Sequence, residues 1–182
     1  AASLPGPVYI RLAREKTPVF TTPDTPFEIG KAQVFWRPQG SPSAGLDSEL
    51  DPRSSGRLEP QATLIACGSL VHNAVLAAAE LEKKDISVIV INNHTVKPID
   101  EETIVKAAQE AGAVVTIEEH QVMGGMGSAV AEVLARRYPV PIEFIGVQNQ
   151  FGESGSPAEL IEKFCMGITS IVMATEKVIQ RK

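Results

Sequence analysis

Two carboxylates and a histidine stand next to one another at Glu118, Glu119 and His120, after the mostly apolar residues 113–117 and before a run of glycines. Imidazole titrates near neutral pH and can move protons or bind metals. A buried strand, then polar residues, then a glycine turn opening a helix is the order found where α/β sheets form their ligand sites. This segment is therefore the first candidate for a functional site.

The glycines of this segment do not make a dinucleotide-binding fingerprint. Gly125 and Gly127 are followed by Val130, where the third small residue of G-x-G-x-x-G belongs, and residues 118–123 separate them from the predicted strand. We expect the glycines to let the chain turn and pack tightly against a neighbour. The helix that follows could still accept an anion through its free N–H groups.

The acidic pair with His120 is also a poor metal site. Adjacent carboxylates on an extended segment point to opposite sides, and no second His or Cys lies at a zinc spacing. No nucleophile or orienting partner for an acid–base role of His120 can be named. We therefore predict no catalytic, cofactor-binding or metal-binding residue here, and favour a polar segment that bonds the chain turn or a partner surface.

Four other residues have side chains that could do chemistry. His94 ends another predicted strand and could lie near His120. Arg11 and Arg14 carry guanidinium groups, which suit phosphate, although either alone is more typical of a protein surface. Cys67 falls in an apolar strand and is expected to be an inert core thiol.

The composition excludes several classes of function. With 17 basic and 22 acidic residues the net charge is −5, which leaves no electrostatic footprint for nucleic acid. The longest strictly apolar run, residues 74–79, is far shorter than the roughly 20 residues of a membrane helix. Two cysteines are too few for a disulfide framework. We expect a cytoplasmic protein without membrane or nucleic-acid partners.

The elements that must position these residues alternate regularly from residue 61 onward. Short apolar strands separated by helices predict a three-layer α/β/α fold around a mostly parallel sheet of about five strands. The strands are predicted at 63–67, 87–92, 113–117 and 142–147. Helices are predicted over about 70–83, 100–111, 128–137, 157–165 and 169–182, with caps at Ser69, Asp100, Gly112, Ser156 and Thr169.

The chain before residue 61 is less regular. Residues 8–13 alternate like a strand but have no neighbouring helix, which suggests the tail of an upstream domain. Residues 27–36 could add an edge strand. Half of residues 37–60 are Pro, Gly or Ser, so we predict a flexible insertion there. The predicted division is therefore 1–26, 27–60 and a regular α/β domain over 61–182.

Several segments resemble the transketolases. Gly6-Pro-Val-Tyr-Ile-Arg-Leu-Ala-Arg14 with Phe27-Glu-Ile-Gly-Lys-Ala32 resembles the boundary between their pyrimidine-binding and C-terminal domains. The segments 63–69, 95–100, 115–130 and 151–160 resemble, in order, four motifs of the C-terminal domain. The ordered set covers most of the chain. It is similar to the C-terminal part of a transketolase, or to the C-terminal subunit of a split enzyme.

The resemblance implies a function that the chain does not perform alone. Transketolases of the pentose phosphate pathway transfer a two-carbon ketol unit between sugar phosphates, using thiamine diphosphate and Mg²⁺. Their cofactor lies between two upstream domains at a dimer interface. Those domains supply the diphosphate and metal ligands and the glutamate that activates the cofactor, and by the resemblance none of these residues is in this chain. The isolated chain is therefore expected to bind no cofactor, to be inactive, and to serve in packing and assembly.

The resemblance also implies partners and site residues. The partners would be the upstream transketolase domains or an N-terminal subunit, within a homodimer. Arg14 corresponds to the arginine that holds the substrate phosphate, and residues 1–26 to the end of the pyrimidine-binding domain with its linker. His120 is left as a contact at an interface or near the mouth of the active site.

Two other interpretations stay open from the sequence. The chain could belong to the same superfamily as the C-terminal domain of deoxyxylulose-phosphate synthase or of a 2-oxo acid dehydrogenase beta subunit. It could instead be a stand-alone α/β ligand- or partner-binding module that uses the strand ends around Asn93, His94, His120 and Asn149.

Overall fold

A computed structural model describes residues 4–12, 16–38 and 59–182 of the chain. These residues form five strands and five helices. The strands are β1 (Gln33–Trp36), β2 (Ala62–Ala66), β3 (Val88–Asn92), β4 (Val114–Gln121) and β5 (Ile142–Val147). The helices are α1 (Leu70–Glu82), α2 (Glu101–Ala111), α3 (Met126–Arg137), α4 (Pro157–Lys163) and α5 (Ile168–Ile179).

The strands form one sheet in the order β1-β3-β2-β4-β5. β3, β2, β4 and β5 are parallel, and β1 runs antiparallel to β3 at the edge. Every residue of β2 is buried, as expected for a strand covered by helices on both faces. The mostly parallel five-stranded sheet predicted from the sequence is confirmed.

Two apolar clusters cover the two faces of this sheet. On one face Leu64, Val90 and Val115 pack with residues of α1 and α5. On the other face Ile65 and Val114 pack with residues of α2 and α3. The core therefore has the predicted three layers, helices on both sides of a central sheet.

The strand order reverses between β2 and β4. α1 leaves β2 on one face of the sheet, and α3 leaves β4 on the other. Because the two connections diverge, a crevice opens beyond the carboxyl ends of these neighbouring strands, which is where open α/β sheets bind ligands. In this fold, a ligand site would therefore be formed by the residues that follow Ala66 and Ile117.

The prediction of a strand over residues 8–13 is wrong for the residues the structure describes. Residues 8–12 have no regular secondary structure and are exposed. In the described parts of the chain this segment pairs with no strand of the sheet, and without a neighbouring strand its backbone groups have no ladder partners. Of the predicted insertion at 37–60, residues 39–58 lie outside the described residues.

Three of the five predicted caps are confirmed. Ser156 forms a reciprocal capping box with Glu159, Asp100 caps α2, and Gly112 ends α2 in the left-handed conformation at φ 68°. Ser69 precedes α1 but makes no capping bond, because it is itself helical and its hydroxyl donates to Glu119. Thr169 lies inside α5, which begins after the extended Gly167.

Asp100 ties the segment before β1 to the start of α2. Its carboxylate accepts hydrogen bonds from the Thr103 N–H (3.1 Å), the Thr103 hydroxyl (2.8 Å) and the Ala32 N–H (2.8 Å). Burial by itself would raise the pKa of Asp100, but these hydrogen bonds and the nearby charge of Lys31 outweigh it and hold the pKa below its ordinary value. The carboxylate is therefore ionised in the folded chain at neutral pH.

We expect Asp100→Asn to lower the free energy of unfolding by about 1 kcal/mol at pH 7, because the amide still caps α2 but cannot replace the charged acceptor. A lowered pKa stabilises the fold above the unfolded pKa of about 4 and loses that contribution as pH falls through the folded value. The difference between wild type and variant should therefore shrink between about pH 5 and pH 2. Urea unfolding at a series of pH values measures it, and a pH-independent difference would contradict the prediction.

Candidate functional site

A crevice of about 470 Å³ lies at the reversal of strand order. Residues after β2, at the end of β4 and at the start of α3 line it, together with Val96. The lining residues are Cys67, Gly68, Ser69, Val96, Glu118, Glu119, His120, Gly124, Gly125 and Met126. The acidic pair and the histidine singled out from the sequence therefore do share a cavity.

Glu118 is the best-anchored polar side chain of the crevice. It is 3% exposed, and its two carboxylate oxygens accept hydrogen bonds from the backbone N–H groups of Met126 (2.7 Å) and Gly127 (2.8 Å). These N–H groups belong to the first turn of α3, where the helix dipole favours a negative charge. The N-terminus that could have accepted an external anion is thus filled by the chain's own carboxylate.

The glycines beside Glu118 are required by close approach. A Cβ on Gly125 would lie 2.5 and 2.6 Å from the two oxygens of Glu118 and 2.6 Å from the Gln121 carbonyl oxygen. A Cβ on Gly127 would lie 2.5 Å from the Thr116 hydroxyl oxygen. The prediction that these glycines permit tight packing is confirmed.

β4 is longer than predicted, so the acidic pair is part of the strand. The sequence predicted that the strand ends at Ile117, because the apolar run stops there. The structure continues it to Gln121, which pairs with Val147 of β5 after an irregularity in the register. Backbone pairing with β5 outweighs the polar side chains, because a neighbouring strand satisfies the backbone groups whatever the side chains are.

The adjacent carboxylates point to opposite sides, as predicted for an extended segment. Glu118 is buried, whereas Glu119 is exposed and accepts a hydrogen bond of 2.5 Å from the Ser69 hydroxyl. His120 is also exposed, and its Nδ1 donates to the Gln121 carbonyl oxygen at 2.8 Å. The mouth of the crevice therefore carries one carboxylate and one imidazole that solvent can reach.

Cys67 forms part of the floor of the crevice beside Glu118. Burial, and secondly the negative charge of Glu118, raise the pKa of the Cys67 thiol from 9.0 to about 11. The thiol is therefore protonated at neutral pH and is a poor nucleophile, since the thiolate is the reactive form. This agrees with the inert thiol predicted from the sequence.

We expect iodoacetamide at pH 8 to alkylate Cys165 at least tenfold faster than Cys67 in the folded chain, because Cys165 is exposed and Cys67 is held as a thiol. Peptide mapping by mass spectrometry at several reaction times gives both rates. In urea the two rates should converge, which controls for sequence effects on reactivity. Equal rates in the folded chain would contradict the pKa assigned to Cys67.

The remaining candidates do not line the crevice. The ring of His94 packs against Phe27, with centroids 4.6 Å apart, and its Nδ1 lies 3.0 Å from the Thr95 hydroxyl. Asn149 bonds through its backbone N–H to the Gln121 side chain. Arg11 is exposed, and Arg14 lies outside the described residues.

Asn93, named from the sequence only as a strand end of a possible stand-alone binding module, is more enclosed than the sequence indicates. Asn93 is 1% exposed, and both polar atoms of its side chain lack a hydrogen-bond partner among the described residues. The sequence shows only that an asparagine follows an apolar strand. Its burial depends on how β3 lies beside β2, which is a tertiary property that local residue types do not encode.

In the described ranges, no three His, Cys, Asp or Glu side chains converge so that they could hold a metal ion. None of the helices in those ranges is long and apolar enough to cross a membrane. The Glu118 carboxylate is in any case already occupied by backbone N–H groups.

Comparison with known families identifies the class of the protein. The family model of the transketolase C-terminal domain matches residues 55–171. The match includes β2 to β5 and the whole crevice. The chain belongs to the transketolase C-terminal domain family.

Two individual relatives show which kinds of transketolase the chain is similar to. The chain is 40% identical over 177 residues to the 6-deoxy-6-sulfo-D-fructose transketolase subunit SqwH of Clostridium sp. strain MSTE9, covering 97% of this chain and 48% of that protein. It is 33% identical over 161 residues to a subunit of the apulose-4-phosphate transketolase of Phocaeicola vulgatus, covering 88% of this chain and 45% of the relative. Both relatives are named as subunits of transketolases.

The fold of this chain is also similar to that of a solved transketolase structure. A split gene transketolase, described as an inactive beta4 tetramer, superposes with a TM-score of 0.81 at 38% identity, over 98% of this chain and 52% of that one. The chain thus spans about half the length of these relatives. The alternatives of a deoxyxylulose-phosphate synthase, a dehydrogenase subunit or a stand-alone module are not favoured.

Proposed function

We propose that this chain is the C-terminal assembly domain of a transketolase, which transfers a two-carbon ketol unit between sugar phosphates with thiamine diphosphate and Mg²⁺. Family membership supports the class of enzyme. The assembly role is supported by an exposed apolar surface on the segment that precedes the sheet. That surface is the observation that carries the proposal.

The apolar surface lies on residues 4–12 and 16–29. Tyr9 is 88% exposed, Leu12 83%, Val19 91% and Phe27 71%. A concentration of large apolar side chains in contact with water is typical of an interface. By the resemblance, this segment is the end of the pyrimidine-binding domain and its linker, so the rest of that domain is the partner proposed for it.

Two arrangements would supply this partner. The upstream domains could stand in the same polypeptide, or on a separate N-terminal subunit, and the relatives named as subunits favour the second. In either case the cofactor, its metal ion and the glutamate that activates the cofactor are assigned to the upstream domains. We assign the complete enzyme to a homodimer of such units.

Within this chain, Arg14 is the residue proposed to contact the substrate. The assignment rests on the match of Gly6-Pro-Val-Tyr-Ile-Arg-Leu-Ala-Arg14 to the family's domain boundary. A guanidinium can donate two parallel hydrogen bonds to a phosphate. His120 is proposed as a contact at the interface or near the active-site mouth, because it is exposed at the end of β4.

The proposal is tested by assaying xylulose 5-phosphate and ribose 5-phosphate with thiamine diphosphate and Mg²⁺. The isolated chain should be inactive, and the chain joined to, or mixed with, the upstream transketolase domains should be active. Turnover by the isolated chain would overturn the assembly role. An assembled complex without ketol transfer to any sugar phosphate would overturn the assignment to transketolase.

In the assembled enzyme, Arg14→Ala should raise KM for phosphorylated substrates about tenfold or more, because it removes a charged hydrogen bond to phosphate. KM for an unphosphorylated ketose should change little. Arg11→Ala is the matched control, since Arg11 is a neighbouring arginine without a proposed role. Equal effects of the two substitutions would remove Arg14 from the substrate site.

A further inference from the structure

Residues 19–32 form a strap that leads to β1 and lies against its own domain, although it contains no helix or strand. At its end, Gly30 is so close to Pro98 that an added Cβ would lie 3.3 Å from the ring Cγ. The Ala32 N–H donates to the Asp100 carboxylate at 2.8 Å. The end of the strap is therefore fixed to the domain, and two phenylalanines fix the part before it.

The second phenylalanine, Phe27, places one face of its ring on His94, which follows β3. The ring centroids are 4.6 Å apart and the ring planes are inclined by 32°. The His94 Nδ1 lies 3.0 Å from the Thr95 hydroxyl, and its Nε2 is buried without a hydrogen-bond partner among the described residues. Because neither nitrogen bonds to the strap, the contact depends on the shape of the histidine ring and on no hydrogen bond from it.

The first phenylalanine, Phe20, contacts an imidazole and a second phenylalanine ring. Its centroid is 5.8 Å from that of His72 on α1 and 5.9 Å from that of Phe35 on β1. Between the two phenylalanines the strap closes a turn, in which the Thr25 N–H donates to the Thr22 carbonyl oxygen at 3.0 Å and the Thr22 N–H to the Thr25 hydroxyl at 2.9 Å. Aromatic contacts at both ends and an internal turn thus define the conformation of the strap.

The strap also presents apolar groups to solvent. Val19 is 91% exposed, and Phe27 is 71% exposed although His94 covers one face of its ring. Both residues belong to the apolar surface proposed above as the contact with the upstream domain. Binding to a segment that already has the bound conformation loses less conformational entropy than binding to a flexible one.

We infer that His72 and His94 are positioning residues for assembly. They hold the strap, through Phe20 and Phe27, in the conformation that the upstream transketolase domain binds. This inference rests on the proposed function, because it concerns the same interface. Since the contacts depend on ring shape, another aromatic residue should replace either histidine, whereas alanine should not.

Chymotrypsin tests the contact in the 182-residue chain by itself, because the protease must take the Phe27 ring away from His94. His94→Ala should speed cleavage after Phe27 about fivefold, which corresponds to about 1 kcal/mol for an aromatic pair. His94→Phe should be cleaved no faster than wild type, because it keeps a ring and removes an unpaired buried nitrogen. Mass spectrometry identifies the bond that is cut, and equal rates for wild type and His94→Ala would overturn the inference.

Calorimetry with the upstream transketolase domains, supplied as a separate polypeptide, tests the effect on assembly. His72→Ala and His94→Ala should each raise the Kd about fivefold, and His94→Phe should leave it unchanged. The matched control is Met173→Ala, since Met173 is 64% exposed on α5 and lies outside the strap. With the upstream polypeptide at saturation, kcat for ketol transfer should equal that of wild type in every variant.

The outcomes separate this inference from the function on which it rests. If the wild-type chain does not associate with the upstream domains, the proposed function fails and the inference fails with it. If the wild-type chain associates and the two alanine variants bind equally tightly, only the inference fails. A kcat that stays low at saturation would also overturn it, because a residue that acts only on assembly leaves the assembled enzyme unchanged. Thermal unfolding checks that each variant is folded.

Discussion

Replacing Glu118 with glutamine should lower the free energy of unfolding by about 3 kcal/mol. The carboxylate accepts from two N–H groups of α3, at 2.7 and 2.8 Å, in a site that is 3% exposed. A glutamine oxygen can accept from one of them, and its NH₂ group would then face the other. Hydrogen bonds to a charged group contribute about 1.5–3 kcal/mol, and the charge at the helix N-terminus adds up to about 2 kcal/mol.

Urea unfolding at pH 7 measures this loss, with Glu119→Gln as the matched control. Glu119 is the next residue on the same strand but is exposed, so its substitution should change stability by less than about 1 kcal/mol. In Glu118→Gln the amide protons of Met126 and Gly127 should also exchange faster with solvent. Equal losses in the two variants would show that Glu118 does not hold the start of α3.

Replacing Gly125 with alanine should be comparably destabilising, by about 3 kcal/mol. The added Cβ would lie 2.5 Å from one Glu118 oxygen and 2.6 Å from the Gln121 carbonyl oxygen. Neither atom can retreat freely, because the first is bonded to α3 and the second belongs to the end of β4. The chain must then move the helix start or lose the carboxylate bonds, and overpacking of this kind costs about 1–3 kcal/mol or more.

The matched control for this variant is Gly152→Ala. A Cβ on Gly152 would meet no atom within 4 Å, so that substitution should be neutral or slightly stabilising. The double variant Glu118→Gln with Gly125→Ala should lose less than the sum of the single losses, because both changes disrupt one contact. Additive losses would mean that the glycine is needed for a reason other than its approach to Glu118.

The fold was predictable because it depends on local patterns. Mostly apolar runs at residues 63–67 and 87–92, separated by helical segments, are enough to predict a mostly parallel sheet. Asp100, Gly112 and Ser156 act within a few residues of themselves, so their roles as caps could be inferred from sequence. Ser69 could not, since its hydroxyl is taken by Glu119, which lies 50 residues away.

The site was predictable only in part, for the same physical reason. The sequence identified Glu118, Glu119 and His120 as unusual and the glycines as closely packed, and both observations hold in the structure. It did not reveal that the Glu118 carboxylate accepts hydrogen bonds from the start of α3. That contact depends on a turn that bends back over the end of the strand. The position of Cys67 beside Glu118 in the crevice likewise depends on strand register, which joins residues far apart in sequence.

The hydrogen bond from the Ala32 N–H to Asp100 shows that the folding unit begins before the segment that the family model matches. The family match begins at residue 55, yet Ala32 and the strand it introduces belong to the sheet. A polypeptide trimmed to the family boundary would leave one side of β3 without backbone partners, and an open strand edge is a template for aggregation. It would also remove the hydrogen bond that links Ala32 to Asp100 at the start of α2. Any protein engineer who transplants this domain into another enzyme should therefore take the stretch before residue 37 with it.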